Sequence, residues 1–494
     1  MKLQDLNTGI SKIEEMEITK TNYPFSSAER YCSISESGYT EKEFYMHGTS
    51  NVYFTKDDGS IGIKCKAAPY VNRFILRCPE NPSDFSGNVI VEIINPTSFM
   101  EIERMWILGH KQFMRSGDIY VGITSKPNTI PKLLEFNAQR YQKLSWKNPT
   151  SELPFPFTDE ELQKAGGILP DQNISYETGL VWDMLSDLAI LLRNPVEENP
   201  LTDYMPKHLT LTGWSQSANY LIRYINDFVP LRQDLPLYDG YLIAGPPRHC
   251  PAPVNQYETL SCAQTETVRL RHADKPCIVL QTESENALMG AYTLVRNDGD
   301  EPEFLCRHYD ITGSSHDTLY SLISYYQNDP DLVRIHMLPG YTGKHDEPNN
   351  YPLEILIAAA FRNLSYWIET GTAPSPCDRI PTDHLGNNKR DAFGNSTGGL
   401  RTCLLDYPTG RFYFYSDIEK NSSGIFPDSD KDILFGHEEP FPKEMLKTLY
   451  GSLSHYRELV ERHTDIQILK GYVVREDRET LIEEAMERAR RRGL

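Results

Sequence analysis

The chain has 494 residues, of which 50 are Lys or Arg and 69 are Asp or Glu, for a formal charge of −19. Such an excess of carboxylates repels phosphate backbones and anionic lipid headgroups, which argues against nucleic acid or a membrane as partner. Hydrophobic residues at 39% and aromatic residues at 11% exclude a largely disordered chain and point to a soluble globular protein with a large core.

Residues Met1 to Lys20 interleave acids and bases, where a secretory signal needs an apolar stretch of roughly 7 to 15 residues. The longest apolar stretches, such as Leu353 to Phe361, stop well short of the roughly 18 residues of a membrane helix. Nine cysteines without a CxxC pair read as reduced thiols, so a cytoplasmic protein is expected.

From about residue 71 short β-branched runs alternate with segments of helical period, the signature of a parallel sheet covered by helices. The expected elements are a strand at Asn88–Ile94, a helix at Glu101–Met114 and a strand at Asp118–Thr124. A helical stripe follows at Leu180, Val181, Met184, Leu185, Leu188 and Leu192. Then come a strand at His208–Thr212, a helix at Ser217–Phe228, and strands at Gly240–Ala244 and Pro276–Leu280. A helix at Leu353–Glu369 ends at Gly371, and the tail from Arg475 carries Leu481, Ile482, Ala485, Met486 and Ala489 at helical spacing. Two stretches fall outside this alternation. The proline-rich segment 126–179 reads either as a lid over a site or as a surface insertion, and 330–494 as an elaboration packed on the core rather than a second domain.

The most specific local signal is Gly213-Trp214-Ser215-Gln216-Ser217, placed between a strand and a helix. That is the context of a nucleophile elbow, in which a sharp turn lifts the central hydroxyl out of the sheet and tolerates only small residues two positions either side. A serine needs a base and an orienting acid, here expected in the order Ser, acid, His. The loop after Pro276–Leu280 holds Glu283 and Glu285, of which Glu285 takes the acid position and Glu283 remains the alternative. His316 follows the Gly313 turn after a short last strand and is the candidate base. An oxyanion hole would use the Gln216 N–H together with an amide of the Asn95-Pro96-Thr97-Ser98 loop, from Thr97 or Ser98 because Pro96 has none. Arg401, behind Gly398-Gly399, reads as a scaffold ion pair rather than a substrate clamp. No metal or nucleotide motif is present, and no cofactor is expected.

These features together resemble the α/β-hydrolase superfamily, and more narrowly the bacterial family known as the α/β hydrolase domain family. The resemblance rests on EIINPTS, the stretch Glu177–Arg193, LTGWSQSANYLIRYIN, the TESE loop and Gly313-Ser314-Ser315-His316-Asp317. Tyr366-Trp367-Ile368 with Gly371 to Pro374, and Asp391 to Asn395 with Gly398 to Arg401, also fit, so that it spans about residues 40 to 410. It departs from the pattern at Ser217, where glycine is usual, and at Glu285, where aspartate is commoner. It implies a single domain of the α/β-hydrolase fold over residues 1–494, with a mostly parallel central sheet and helices on both faces. It also implies a serine hydrolase of small carboxylic esters with Ser215, Glu285 and His316 in the triad positions. An amidase or acyltransferase with the same triad, or a non-catalytic binding protein on this scaffold, are the competing expectations.

Overall fold

The computed structural model describes residues 2–153, 174–232, 234–235, 237–247, 252–258, 269–287, 298–419 and 430–494. Its main sheet is built from β1 (Ile10–Met16), β2 (Tyr39–Thr55), β3 (Ile61–Pro79), β4 (Asn88–Ile93), β5 (Ile119–Ile123), β6 (His208–Trp214), β7 (Gly240–Ala244), β8 (Ala273–Thr282), β9 (Gly299–Glu301) and β10 (Phe304–Ile311). Across the sheet their order is β1-β2-β3-β5-β4-β6-β7-β8-β10-β9. The run β5-β4-β6-β7-β8-β10 is parallel, while β1, β2 and β3 on one side and β9 on the other pair antiparallel. The sheet expected from the alternation of runs is therefore present and mostly parallel, and the N-terminal antiparallel strands extend it.

Side chains of a strand alternate between faces, and here they alternate between two cores. Val89, Val91 and Ile93 of β4, Leu209 and Leu211 of β6 and Tyr241 and Ile243 of β7 pack on one side with the helices Val181–Arg193 and Gln216–Arg223. Ile90, Leu242, Ala244, Ile278 and Leu280 face the other side, with the helices Arg104–Ser116 and Leu353–Thr370 and the C-terminal helix Arg478–Arg491. That last helix buries the stripe read from its sequence, Leu481, Ile482, Ala485, Met486 and Ala489. No helix among the described residues is long and apolar enough to cross a membrane.

Of the segment 126–179, residues 154–173 and most of the run LPFPFTDEEL lie outside the described residues. Its first part forms the helix Ile130–Tyr141, and its two flanks pair through the Lys147–Tyr176 bridge. Glu177 accepts the N–H groups of both Gly179 and Gln256 at 2.8 Å, and the Tyr257 hydroxyl donates to the Thr150 carbonyl at 2.6 Å. The flanks are thus fastened to the loop after β7.

The helix expected from Glu101 begins at Arg104 instead. Glu92, the β4 residue facing that helix, accepts the N–H groups of Met105 and Trp106 at 3.0 Å each, and also the Tyr120 hydroxyl, so the first turn is capped there. The residues before it are drawn into ion pairs. Arg73 on β3 is fully buried and pairs with Glu43 and Glu101, and the equally buried Arg77 pairs with Glu41 at 2.8 Å and with Glu103. Arg140 adds a second contact to Glu43 at 2.5 Å, and Arg77 lies 4.4 Å over the Trp106 ring. Removing one partner of a buried ion pair strands the other's charge, at a cost of about 3–5 kcal/mol. Arg77→Met is therefore expected to lower the unfolding free energy by about that amount. Chemical denaturation checks this, and a loss below ~1 kcal/mol would contradict it.

Candidate active site

At the carboxyl end of β6 the chain turns into the helix Gln216–Arg223 through Ser215, whose φ of 58° and ψ of −120° are strained for a residue with a Cβ. The turn is held because the Ser215 N–H donates to the Ala244 carbonyl of β7 at 2.8 Å. A Cβ on Gly213 would sit 2.8 Å from the carbonyl carbon and oxygen of Ser217, so only glycine fits there. Ser217 is fully buried, and its hydroxyl donates to the Ile94 carbonyl at 3.1 Å. The sequence required only a small residue at 217. The hydroxyl in addition ties the turn to the end of β4. Gln216 occupies the first helical position, where an N–H has no intrahelical acceptor.

β8 and β10 are neighbours in parallel, with Thr282 opposite Ile311, so the loops that follow them leave the sheet side by side. Glu285 is fully buried, accepts from the Thr282 N–H at 2.5 Å and its hydroxyl at 2.9 Å, and takes the His316 Nδ1 contact at 2.5 Å. Glu283, the alternative acid, points elsewhere. It accepts from the Gly313 N–H at 2.9 Å, from Asn388 at 3.2 Å and from the Ser396 hydroxyl, and so joins the histidine loop to the 388–396 segment. Burial disfavours a charged His316, but the Glu285 carboxylate and its hydrogen bond outweigh that and raise the imidazole above the ordinary histidine value.

Around this pair the packing is specific. The His316 N–H donates to the Ser284 hydroxyl at 3.0 Å. Asp317 pairs at 2.6 Å with Arg104, which also donates to the Ser321 carbonyl at 2.9 Å. Gly245, at φ 60°, leaves space for the imidazole, since a Cβ there would lie 3.2 Å from His316 Cε1 and 3.1 Å from the Trp214 ring. The Trp214 indole N–H donates to His316 Nε2 at 3.3 Å, and Trp214 is the residue before Ser215. The Ser215 turn and the imidazole are therefore neighbours at the carboxyl ends of the parallel strands.

The loop after β4 reaches the same place. Asn95 donates through its side-chain amide to the Trp214 carbonyl at 2.7 Å, and its Oδ1 accepts the Thr97 N–H at 2.8 Å. The Thr97 amide, expected as an oxyanion donor, is thus spent within its own loop. Ser98 and Phe99 follow with φ of 59° and 62°, two consecutive left-handed residues with side chains, and Phe99 is exposed. Arg401 holds Asp406 at 2.6 Å and Asp391 at 3.2 Å and donates to the Leu405 carbonyl at 2.9 Å, a scaffold role as read from the sequence. Among the described residues no group of three or more His, Cys, Asp or Glu is placed to hold a metal.

Several residues of this arrangement escaped the sequence reading. Gly245 had a legible signal, a glycine directly after a strand. Arg104 had none, nor had the side-chain bond of Asn95 to Trp214, because their partners lie 213 and 119 positions away along the chain.

The family described as alpha/beta hydrolase domain matches residues 13–483, and the chain belongs to it. Solved structures similar to it include an arylesterase, at 11% identity over 58% of this chain and 82% of that one, with a TM-score of 0.27. Est1E from Butyrivibrio proteoclasticus with bound ferulic acid has 10% identity over 58% and 95%, TM-score 0.29. Acetyl xylan esterase 1 from Thermoanaerobacterium has 10% identity over 68% and 91%, TM-score 0.31. Likenesses this distant imply nothing about activity. A comparison with curated protein sequences finds no match.

The two small positions of the turn should respond differently. Ser217→Ala removes one buried hydrogen bond, about 0.5–1.5 kcal/mol, and the Ile94 carbonyl keeps its bond from the Ser125 hydroxyl. Gly213→Ala forces a methyl group against backbone, and overpacking of this kind costs about 1–3 kcal/mol or more. Thermal denaturation is expected to rank Gly213→Ala as the more damaging substitution, and the reverse order would contradict the geometry.

Proposed function

We propose that the protein is a serine hydrolase that cleaves carboxylic esters through an acyl-enzyme, with Ser215 as nucleophile, His316 as base and Glu285 as the acid that orients it. The observation that carries this reading is the 2.5 Å contact between the buried Glu285 carboxylate and His316 Nδ1, beside a serine held at φ 58°. In this reaction Ser215 Oγ attacks the ester carbonyl while His316 Nε2 takes the hydroxyl proton. Glu285 keeps the other imidazole proton on Nδ1 and stabilises the imidazolium. The developing oxyanion is met by the Gln216 N–H, aided by its place at a helix N-terminus. The second donor falls to the Ser98 amide, since that of Thr97 is taken by Asn95. Collapse of the adduct expels the alkoxide, which recovers the proton from His316, and a water activated by the same imidazole releases the acid. Esters are the proposed substrates because the elbow, the TESE loop and the GSSHD turn resemble serine hydrolases of that type.

The nucleophile is tested by labelling with a fluorophosphonate and mapping the adduct by mass spectrometry. Ser215→Ala is expected to abolish labelling and nearly all turnover of short aryl esters, while Ser217→Ala keeps both. An adduct on any serine other than Ser215 would overturn the reading.

The two glutamates separate by what each one holds. Glu285→Gln puts the imidazole in the wrong tautomer and is expected to lower turnover by up to about 10⁴-fold in a folded protein. Glu283→Gln confronts donors with an amide and is expected to lower the melting temperature with a far smaller loss of turnover. Circular dichroism and ester kinetics on the two variants check both halves, and the opposite pattern would exchange the assignments.

A further inference from the structure

The indole of Trp214 is placed where the nucleophile should act. A neutral imidazole carries one proton, and here Nδ1 presents it to Glu285, which leaves the Nε2 lone pair as the base. That lone pair accepts the Trp214 indole N–H at 3.3 Å, with the two ring centroids 5.4 Å apart and tilted by 46°. Indole is a donor only, so the bond exists only while Nε2 is unprotonated. A single lone pair also takes one donor at a time, and the Ser215 hydroxyl forms no hydrogen bond to the ring.

We propose that Trp214 is a positioning residue that parks His316 in its neutral, Nδ1-protonated tautomer by donating its indole N–H to Nε2, a bond the Ser215 hydroxyl must replace before it can be deprotonated. This rests on the assignment of His316 as the base. Trp214 is 1% and His316 3% exposed, and Gly245, having no Cβ, leaves room for both rings side by side. The charged groups facing the imidazole work as a set. Glu285, reached from the end of β8, favours the imidazolium, as does the adjacent Asp317, while Arg104 on the helix after β4 neutralises Asp317 and opposes it. Trp214, from the end of β6, adds an uncharged restraint in the same direction as Arg104 and keeps the base ready to accept a proton near neutral pH.

The test replaces the indole N–H without changing the shape of the site. Benzothienylalanine, incorporated at position 214 alone, substitutes sulfur for the N–H in a ring of the same size, and Trp214→Phe serves as a second variant. His316 is titrated by nitrogen NMR, a readout that needs no substrate. Loss of one hydrogen bond that favours the neutral form is expected to raise the His316 titration midpoint by about half a unit to one unit in both variants. The acid limb of kcat/KM for an aryl ester, and of the fluorophosphonate labelling rate, should move by the same amount. The limiting labelling rate at high pH should stay within tenfold, because the indole has left Nε2 when the serine reacts. An unchanged midpoint in the sulfur variant, or a shift confined to Trp214→Phe where a cavity admits water, would overturn the proposal. So would a limiting rate that falls more than tenfold in the sulfur variant with its fold intact. If the midpoint moves but the unsubstituted protein neither labels nor hydrolyses esters, the tautomer restraint stands and the hydrolase reading fails instead.

Discussion

The loop that carries Asn95 to Arg104 is held in place by buried charge. Arg73 and Arg77 stand four residues apart on β3 without solvent contact, and Glu101 and Glu103 come down onto them from the loop. Moving such groups out of water costs several kcal/mol per ion, and the cost is offset only when each charge meets its partner in good geometry. Few loop conformations satisfy that condition. The next residue, Arg104, extends the chain of pairs to Asp317, the neighbour of His316. The N-terminal hairpin of β2 and β3 therefore serves as more than an edge to the sheet. It supplies the cations against which the loop beside Ser215, and at one remove the histidine loop, are set.

This explains why the parallel part of the sheet was legible in the sequence while the hairpin was not. β4, β6, β7 and β8 are covered on both faces and read as short runs rich in apolar and β-branched residues. In β2 the sequence Glu41-Lys42-Glu43 looks like a solvated stretch, yet Glu43 is fully buried because Arg73 and Arg140 reach it. A polar residue that is buried by pairing with a distant partner carries no periodic signal. The late start of the helix at Arg104 has the same origin, since Glu101 and Glu103 fit a helical pattern but are claimed by arginines on β3.

Glu285 and His316, both singled out in the sequence, come into contact in the structure, and the ambiguities lay where local sequence is symmetric. TESE offers two carboxylates two residues apart, and nothing local tells them apart. The choice comes from direction: one side chain meets the imidazole, and the other meets the Gly313 amide and the 388–396 segment. Likewise Thr97 and Ser98 are equivalent as donors on paper. The side chain of Asn95 separates them by folding back on the first. Ser217, a departure from the usual glycine, acquires a reason once the Ile94 carbonyl is seen within reach of its hydroxyl.

The register of β8 against β10 has a consequence for how the chain tolerates change. Gln281 and Thr282 stand opposite Asp310 and Ile311. Glu285 lies three residues beyond the first strand end and His316 five beyond the second, so their meeting is fixed by the hydrogen-bond ladder between neighbouring strands. A slip of β10 by one residue against β8 would carry the imidazole about 3.3 Å from its place beside the carboxylate. Insertions or deletions within either strand are therefore the changes this pair would not survive, whereas substitutions that keep the ladder leave carboxylate and imidazole in contact.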